Sequence, residues 1–205
     1  MTRRGRRAAA SLIAAALLSS GCATLQPPPP AAASPDELWS LHRAQISAIR
    51  GFSIQGRISD GARTAQMLWH QHADSSFELK LNGPFGIGAV EILGSAGGVI
   101  VRSKDGVTYV TDPQAWMVAN LGWSVPIDNL RLWVTGLPAL GSAGQVRFDD
   151  AGRLAELAQN GWAIRYDSYL DVGSRDLPQK VQLENDDNRL RLVIDRWLAL
   201  DLAAT

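Results

Sequence analysis

Phe52-Ser53-Ile54-Gln55-Gly56-Arg57-Ile58-Ser59 sets apolar side chains against polar ones at every second position, the period of a strand with one buried and one wetted face. The same alternation returns in Met67 and Trp69, in Phe77, Leu79 and Leu81 against Glu78 and Lys80, and in Val90 and Ile92 around Glu91. Val99 and Val101 lead into Lys104-Asp105-Gly106, and Val107, Tyr109 and Thr111 run back. The Asp-Gly pair supplies the positive φ that a tight hairpin needs. Strands this short, joined by turns this brief, pair antiparallel, because a parallel pair needs a long crossover.

Outward from this run the period changes. Ser34-Pro35-Asp36-Glu37 places a serine cap, a proline at the first helical position and a glutamate three residues after the cap, the pattern of a capping box. Leu38, Leu41, Ile46 and Ile49, with Trp39 and His42 alongside, form an apolar stripe that Gly51 is expected to close. Asp112-Pro113 starts a second helix through Trp116, Met117 and Leu121 to Gly122, and Pro126 a third carrying Leu130, Trp133 and Leu137 up to Gly136 and Pro138. Strands resume at Val146 and Phe148, turn at Asp149-Asp150-Ala151-Gly152, and continue through Trp162, Ile164 and Tyr166, through Val181 and Leu183, and through Leu190, Leu192 and Ile194. The count is about ten strands, without the βα alternation of a parallel sheet. The expected class is α+β, mainly β, with one curved antiparallel sheet and helices laid on it.

The 205 residues, 46% hydrophobic and 20% charged, suffice for one good core. Arg3, Arg4, Arg6 and Arg7 precede the apolar run from Ala8 to Leu18, and no acidic residue comes before position 22; this is a secretory signal peptide over residues 1–21. The full chain is formally neutral, so the chain without those arginines carries about four negative charges and is a poor match for nucleic acid. The single cysteine, Cys22, follows Ser19-Ser20-Gly21 directly. That junction resembles a lipobox, whose cysteine receives acyl chains and becomes the mature N-terminus; two or more chains give a stable anchor. Ala23 resembles the class sorted to the outer membrane, on its periplasmic side. Residues 22–33, with Pro27-Pro28-Pro29-Pro30, read as an extended tether of roughly 30 Å, and residues 34–205 as one body.

Motifs of catalysis are looked for and read otherwise. Gly94-Ser95-Ala96-Gly97 lacks the spacing of a nucleophile elbow. Gly86-Ile87-Gly88 begins a dinucleotide fingerprint but lacks its third glycine and its helix. His70-Gln71-His72 could put two imidazoles on one strand face, yet no third ligand lies close in sequence, and surface histidines are the simpler reading. Asp149-Asp150 and Asp186-Asp187 read as turn formers. No enzyme activity, metal or cofactor is expected. What stands out is apolar: seven tryptophans, at 39, 69, 116, 123, 133, 162 and 197. Trp162 and Trp197 read as core, whereas Trp39, Trp69, Trp116 and Trp133 could serve either a core or the wall of a cavity for a greasy ligand.

Several separate segments carry a family likeness. They are Ile54-Gln55-Gly56-Arg57-Ile58, Leu81-Asn82-Gly83-Pro84-Phe85-Gly86, Leu121-Gly122-Trp123-Ser124-Val125-Pro126, Leu132-Trp133-Val134-Thr135-Gly136-Leu137-Pro138, Gln159-Asn160-Gly161-Trp162 with Tyr166 and Tyr169, and Leu177-Pro178. In this order they resemble the LolB family of outer-membrane lipoprotein receptors, over essentially Trp39 to Trp197. The resemblance implies an incomplete antiparallel barrel of ten or eleven strands with a helical lid over an apolar cavity. It also implies a monomer that takes lipoproteins from the periplasmic carrier LolA, shelters their acyl chains and passes them to outer-membrane lipid. In the family an exposed apolar residue, more often leucine, sits in a loop of the Pro84-Phe85-Gly86 kind and is needed for membrane delivery; Phe85 holds that place. Candidates for the lining are Phe52, Ile54, Met67, Trp69, Phe77 and Leu79 on the strands, with Trp116, Met117, Leu130 and Trp133 on the lid. The same cavity would also permit a lipid-anchored module for free fatty acids, and a filled core would leave an envelope scaffold.

Overall fold

In the first helix, Ser34 Oγ accepts from the Glu37 amide at 3.3 Å while the Glu37 carboxylate accepts from the Ser34 amide at 2.8 Å, closing the capping box. These bonds to Ser34 lower the Glu37 pKa. The structure is a computed structural model that describes residues 33–83 and 88–203; the signal peptide, Cys22, the tether up to residue 32 and Pro84-Phe85-Gly86 lie outside the described residues.

Helix α1 covers Pro35–Ser47 and ends earlier than its stripe suggests. Ile49 and Gly51, expected as its last contact and its stop, belong to strand β1 (Ile49–Ser59), because pairing with the far end of the chain wins: Ile49 lies opposite Leu202, and the Ala203 amide donates to the Ala48 carbonyl at 2.8 Å. Leu41, expected on the buried stripe, is 64% exposed, whereas Ile46 of that stripe and His42 beside it are buried.

The remaining elements are β2 (Thr64–Gln71), β3 (Phe77–Asn82), β4 (Val90–Ser95), β5 (Gly98–Ser103), β6 (Gly106–Val110), α2 (Pro113–Leu121), α3 (Ile127–Trp133), β7 (Gln145–Phe148), β8 (Leu154–Gln159), β9 (Trp162–Asp171), β10 (Asp176–Glu184) and β11 (Arg189–Leu202). They form one 11-stranded antiparallel sheet in the order β6-β5-β4-β3-β2-β1-β11-β10-β9-β8-β7. The first and last strands meet at its middle, and β6 and β7 are its free edges, so the barrel is incomplete. Leu137, expected on the third helix, lies beyond it: α3 stops at Trp133 and the chain turns at Gly136.

β8 is the strand that periodicity misses. Leu154-Ala155-Glu156-Leu157-Ala158-Gln159 is built of strong helix formers, yet Leu157 pairs with Ile164 and Val146, and Leu154, Leu157 and Gln159 are buried. Tertiary pairing overrides propensity here.

Register shifts between β1 and β11 fall at Ile49/Gly51, Ser53/Ile54 and Gln55/Gly56, and such bulges bend and twist a sheet. At Gly56 the strands approach so closely that a Cβ would run into the Val193 carbonyl. Because the obstacle is backbone, Gly56→Ala is expected to cost about 1–3 kcal/mol, read as a lowered urea midpoint; an unchanged midpoint would mean that the bulge yields freely.

His42, 7% exposed, has its pKa lowered by burial, with Asp176 and Asp149 pulling it up and Arg153 pushing it down. The folded chain therefore resists a proton that the unfolded chain accepts, so stability is full above the unfolded value of about 6.5 and is lost as pH falls below it. His42→Leu is expected to shrink the drop in urea midpoint between about pH 7.5 and about pH 5.5; an equal drop would remove His42 from the account. Every strand pairing and the whole buried cluster lie within residues 46–202, so the body contains its own folding core.

Candidate functional site

The concave side of the sheet is where the alternation converges. Across β1 to β3 the inward row places Trp69 opposite Ile54 and Leu79, and Met67 opposite Leu81. From the other arm, Leu183 faces Leu190 and Val181 faces Leu192. The two short helices cover this side. Asp112 Oδ1 accepts from the Ala115 amide at 3.0 Å to start α2, and Gly122, in the left-handed region at φ 82°, ends it. α3 begins after Pro126.

Between sheet and helices lies an apolar space walled by Ile58, Met67, Trp69, Leu79 and Leu81 on one arm, by Leu183, Leu190 and Leu192 on the other, and roofed by Met117, Trp123, Val125, Ile127 and Leu130. Its free volume is about 20 Å³, of the order of one water. The roof side chains thus fill the hollow in this state. The indole Nε1 of Trp69 is buried with no hydrogen-bond partner among the described residues, and leaving such a donor unmade costs about 1–3 kcal/mol.

Polar ties hold the roof at the rim. Arg63, gripped by Asp60 at 2.9 and 3.2 Å, donates to the Leu121 carbonyl at 2.6 Å, which caps the C-terminal end of α2. A Cβ at Gly122 would come within 2.6 Å of that guanidinium. On the other side Asn188 Oδ1 accepts from the Ser124 amide at 3.0 Å. Beside the Arg63 tie opens a cleft of about 520 Å³ bounded by Thr64, Gly83, Gly88 and Asn120, and it shares Ile58, Leu81 and Trp123 with the inner space.

The structure divides the residues singled out from sequence. Met67, Trp69, Leu79, Met117 and Leu130 line the inner space. Phe52 stands edge-on to Trp69 and Trp197 outside that lining, Ile54 is fully buried, and Phe77 fills the room left by Gly94. Trp116 is half-buried against the core. Trp133 belongs to a separate network: its indole donates to Gln159 Oε1 at 3.0 Å and its carbonyl accepts from the Tyr166 hydroxyl at 2.9 Å. Gln159 also takes the Ala139 amide and donates to the Ala139 and Ser142 carbonyls, fixing the chain after α3. Lining residues beyond those singled out are Ile58, Leu81, Trp123, Val125, Ile127, Leu183, Leu190 and Leu192. Those on strands carried an alternation signal, whereas Trp123 and Val125, between α2 and α3, and Ile127, at the start of α3, carried no periodic one.

Groups that could have suggested other chemistry have local roles. Ser95 Oγ accepts from the Gly97 amide in the β4–β5 turn, and Asp149 takes the Ala151 and Arg153 amides and pairs with the Arg153 guanidinium. His70 Nδ1 lies 2.7 Å from Ser53 Oγ, and His72 is 4.0 Å from Glu78.

Known proteins bear on the whole of this architecture. The family model described as outer membrane lipoprotein LolB matches residues 50–197. Among curated relatives, the outer-membrane lipoprotein LolB of Pseudomonas putida strain F1 is 34% identical over 164 residues, covering 78% of this chain and 80% of the relative. That of Pseudomonas syringae pv. syringae strain B728a is likewise 34% identical over 164 residues, with the same coverage, and that of Stutzerimonas stutzeri strain A1501 is 34% identical over 166 residues, covering 78% and 79%. The matched span runs from β1 to Trp197 in β11 and so takes in both arms of the sheet and both roofing helices, which places the chain in the LolB family of outer-membrane lipoproteins.

Proposed function

We propose that this protein accepts lipoproteins from the periplasmic carrier LolA, shelters their acyl chains beneath α2 and α3, and delivers them into the outer membrane. The observation that carries the reading is a space whose walls and roof are apolar throughout, closed by two helices of 9 and 7 residues; rim ties hold the end of α2 and the linker after it, and α3 is pinned only at its C-terminal end through Trp133, so its first turn can lift. An acyl chain cannot cross water unaided, since each exposed methylene costs about 0.8 kcal/mol. The space as it stands is far smaller than the roughly 300–1,000 Å³ of ordinary ligand sites, so loading requires the roof to swing outward. Helices this short have little stability apart from their packing. Acyl chains that take the place of Met117, Ile127 and Leu130 replace one apolar contact by another, so opening costs little net burial.

Transfer then follows affinity, without a catalyst or cofactor: the receptor must bind the chains better than the carrier does, and the bilayer better still. Cys22, acylated, anchors the chain to the outer membrane on its periplasmic side, and residues 23–33 give the body reach. Phe85 meets the lipid surface during delivery. The test is transfer of a lipoprotein from LolA to the body, with free fatty acid as competitor. Expected is transfer that persists in excess fatty acid. Full displacement by fatty acid, with no uptake from LolA, would instead favour a small-ligand carrier.

A further inference from the structure

The convex face of the sheet carries a polar row behind the inner wall. Lys80, Glu91 and Arg102 stand opposite one another across β3, β4 and β5, and Glu91 is 3.1 Å from Lys80 Nζ and 3.0 Å from Arg102 Nη1. With Lys104, Asn82 and Gly88 they line an open hollow of about 540 Å³. Glu91 and Asp105, the latter 2.9 Å from Lys104 and outside the lining, offset two of the three cations and leave one positive charge in excess. This surplus of positive charge runs against the sign of the body, where acidic side chains outnumber basic ones. Asn82 and Gly88 also flank the β3–β4 connection that contains Phe85.

We propose that this hollow receives the phosphodiester of an anionic phospholipid headgroup and so seats the β3–β4 rim on the membrane; the proposal rests on the reading of the Phe85 connection as the delivery loop. Arginine offers phosphate a planar two-pronged donor and lysine a compact charge. Glu91 gives one carboxylate oxygen to each of Lys80 and Arg102, which holds them side by side while its single charge offsets only one of them. The cations are 44%, 54% and 79% exposed, so one free phosphate in water gains little from any of them. A membrane presents many phosphates at once, and each basic group near an anionic surface strengthens attachment by roughly fivefold.

The test uses the body sedimented with vesicles of phosphatidylcholine alone and with about 30% phosphatidylglycerol added. The anionic lipid is expected to raise binding in a salt-sensitive way. Lys80→Ala, Arg102→Gln and Lys104→Ala should each remove about fivefold of that increment, leaving circular dichroism and binding to neutral vesicles unchanged. Phe85→Glu should weaken binding to both kinds of vesicle. If the three charge variants keep the whole increment while Phe85→Glu loses binding, the headgroup site is overturned and the loop reading survives. If the charge variants weaken and Phe85→Glu does not, the headgroup site stands and the loop reading fails. Saturable binding of inorganic phosphate alone, with no preference among vesicles, would also overturn the proposal.

Discussion

Phe85→Glu is expected to reduce delivery of lipoprotein into vesicles by at least about thirtyfold while leaving uptake from the carrier intact. The magnitude follows from losing the transfer of a phenylalanine side chain into lipid, worth about 1.5–3 kcal/mol, and from setting a carboxylate against the acyl region in its place. The selectivity follows from separation along the chain, because Phe85 falls in the connection between β3 and β4, whereas Trp69, Leu79, Met117 and Leu130, on which uptake is proposed to depend, line the inner space. Phe85→Leu restores an apolar side chain and should keep delivery near normal. Loss of uptake and delivery together would point to misfolding, and normal delivery by Phe85→Glu would remove the loop from the mechanism.

Trp133→Ala has the largest expected effect on the fold. The side chain is 0% exposed, lies 6.1 Å from the Trp162 ring, and bonds Gln159, which in turn holds Ala139 and Ser142. Emptying a tryptophan site costs about 3–5 kcal/mol, a large part of the 5–15 kcal/mol that domains typically possess. At about 2–4 °C per kcal/mol, the thermal midpoint should fall by about 6–20 °C. Trp133→Phe refills most of the volume but leaves Gln159 Oε1 without the indole donor, so its loss should be smaller. Equal losses would show that the hydrogen bond, not the volume, sets the stability there.

Much of this was legible because antiparallel strands with one wet face write their burial into alternate residues. Ile54, Ile58, Met67, Trp69, Leu79 and Leu81 turn inward as their spacing implies. The caps of α1 and α2 are equally local, since Ser34, Glu37 and Asp112 act on amides within three residues. Features set by distant partners were not legible. β8 carries no alternation and gets no element from the sequence, because only its pairing with β7 and β9 makes it a strand, and α1 stops early because β1 answers to β11 at the other end of the chain. Alternation likewise identifies Leu183, Leu190 and Leu192 as one-faced without revealing that β10 and β11 close the second wall of the apolar space. Trp123 and Val125 follow no period because a linker has none, and Ile127 is only the first residue of α3; their place over the sheet makes them roof. The volume of the space is a matter of how far the roof sits down, which no pattern in the chain encodes.

The most direct test places a photo-reactive side chain at Leu79 on the wall, at Leu130 on the roof, and at Arg165 on the convex face, and irradiates each protein while lipoprotein arrives from LolA. Adducts between the acyl chains and positions 79 and 130, and none at 165, are the predicted result. Transfer that proceeds with no acyl adduct at either interior position would contradict shelter beneath α2 and α3.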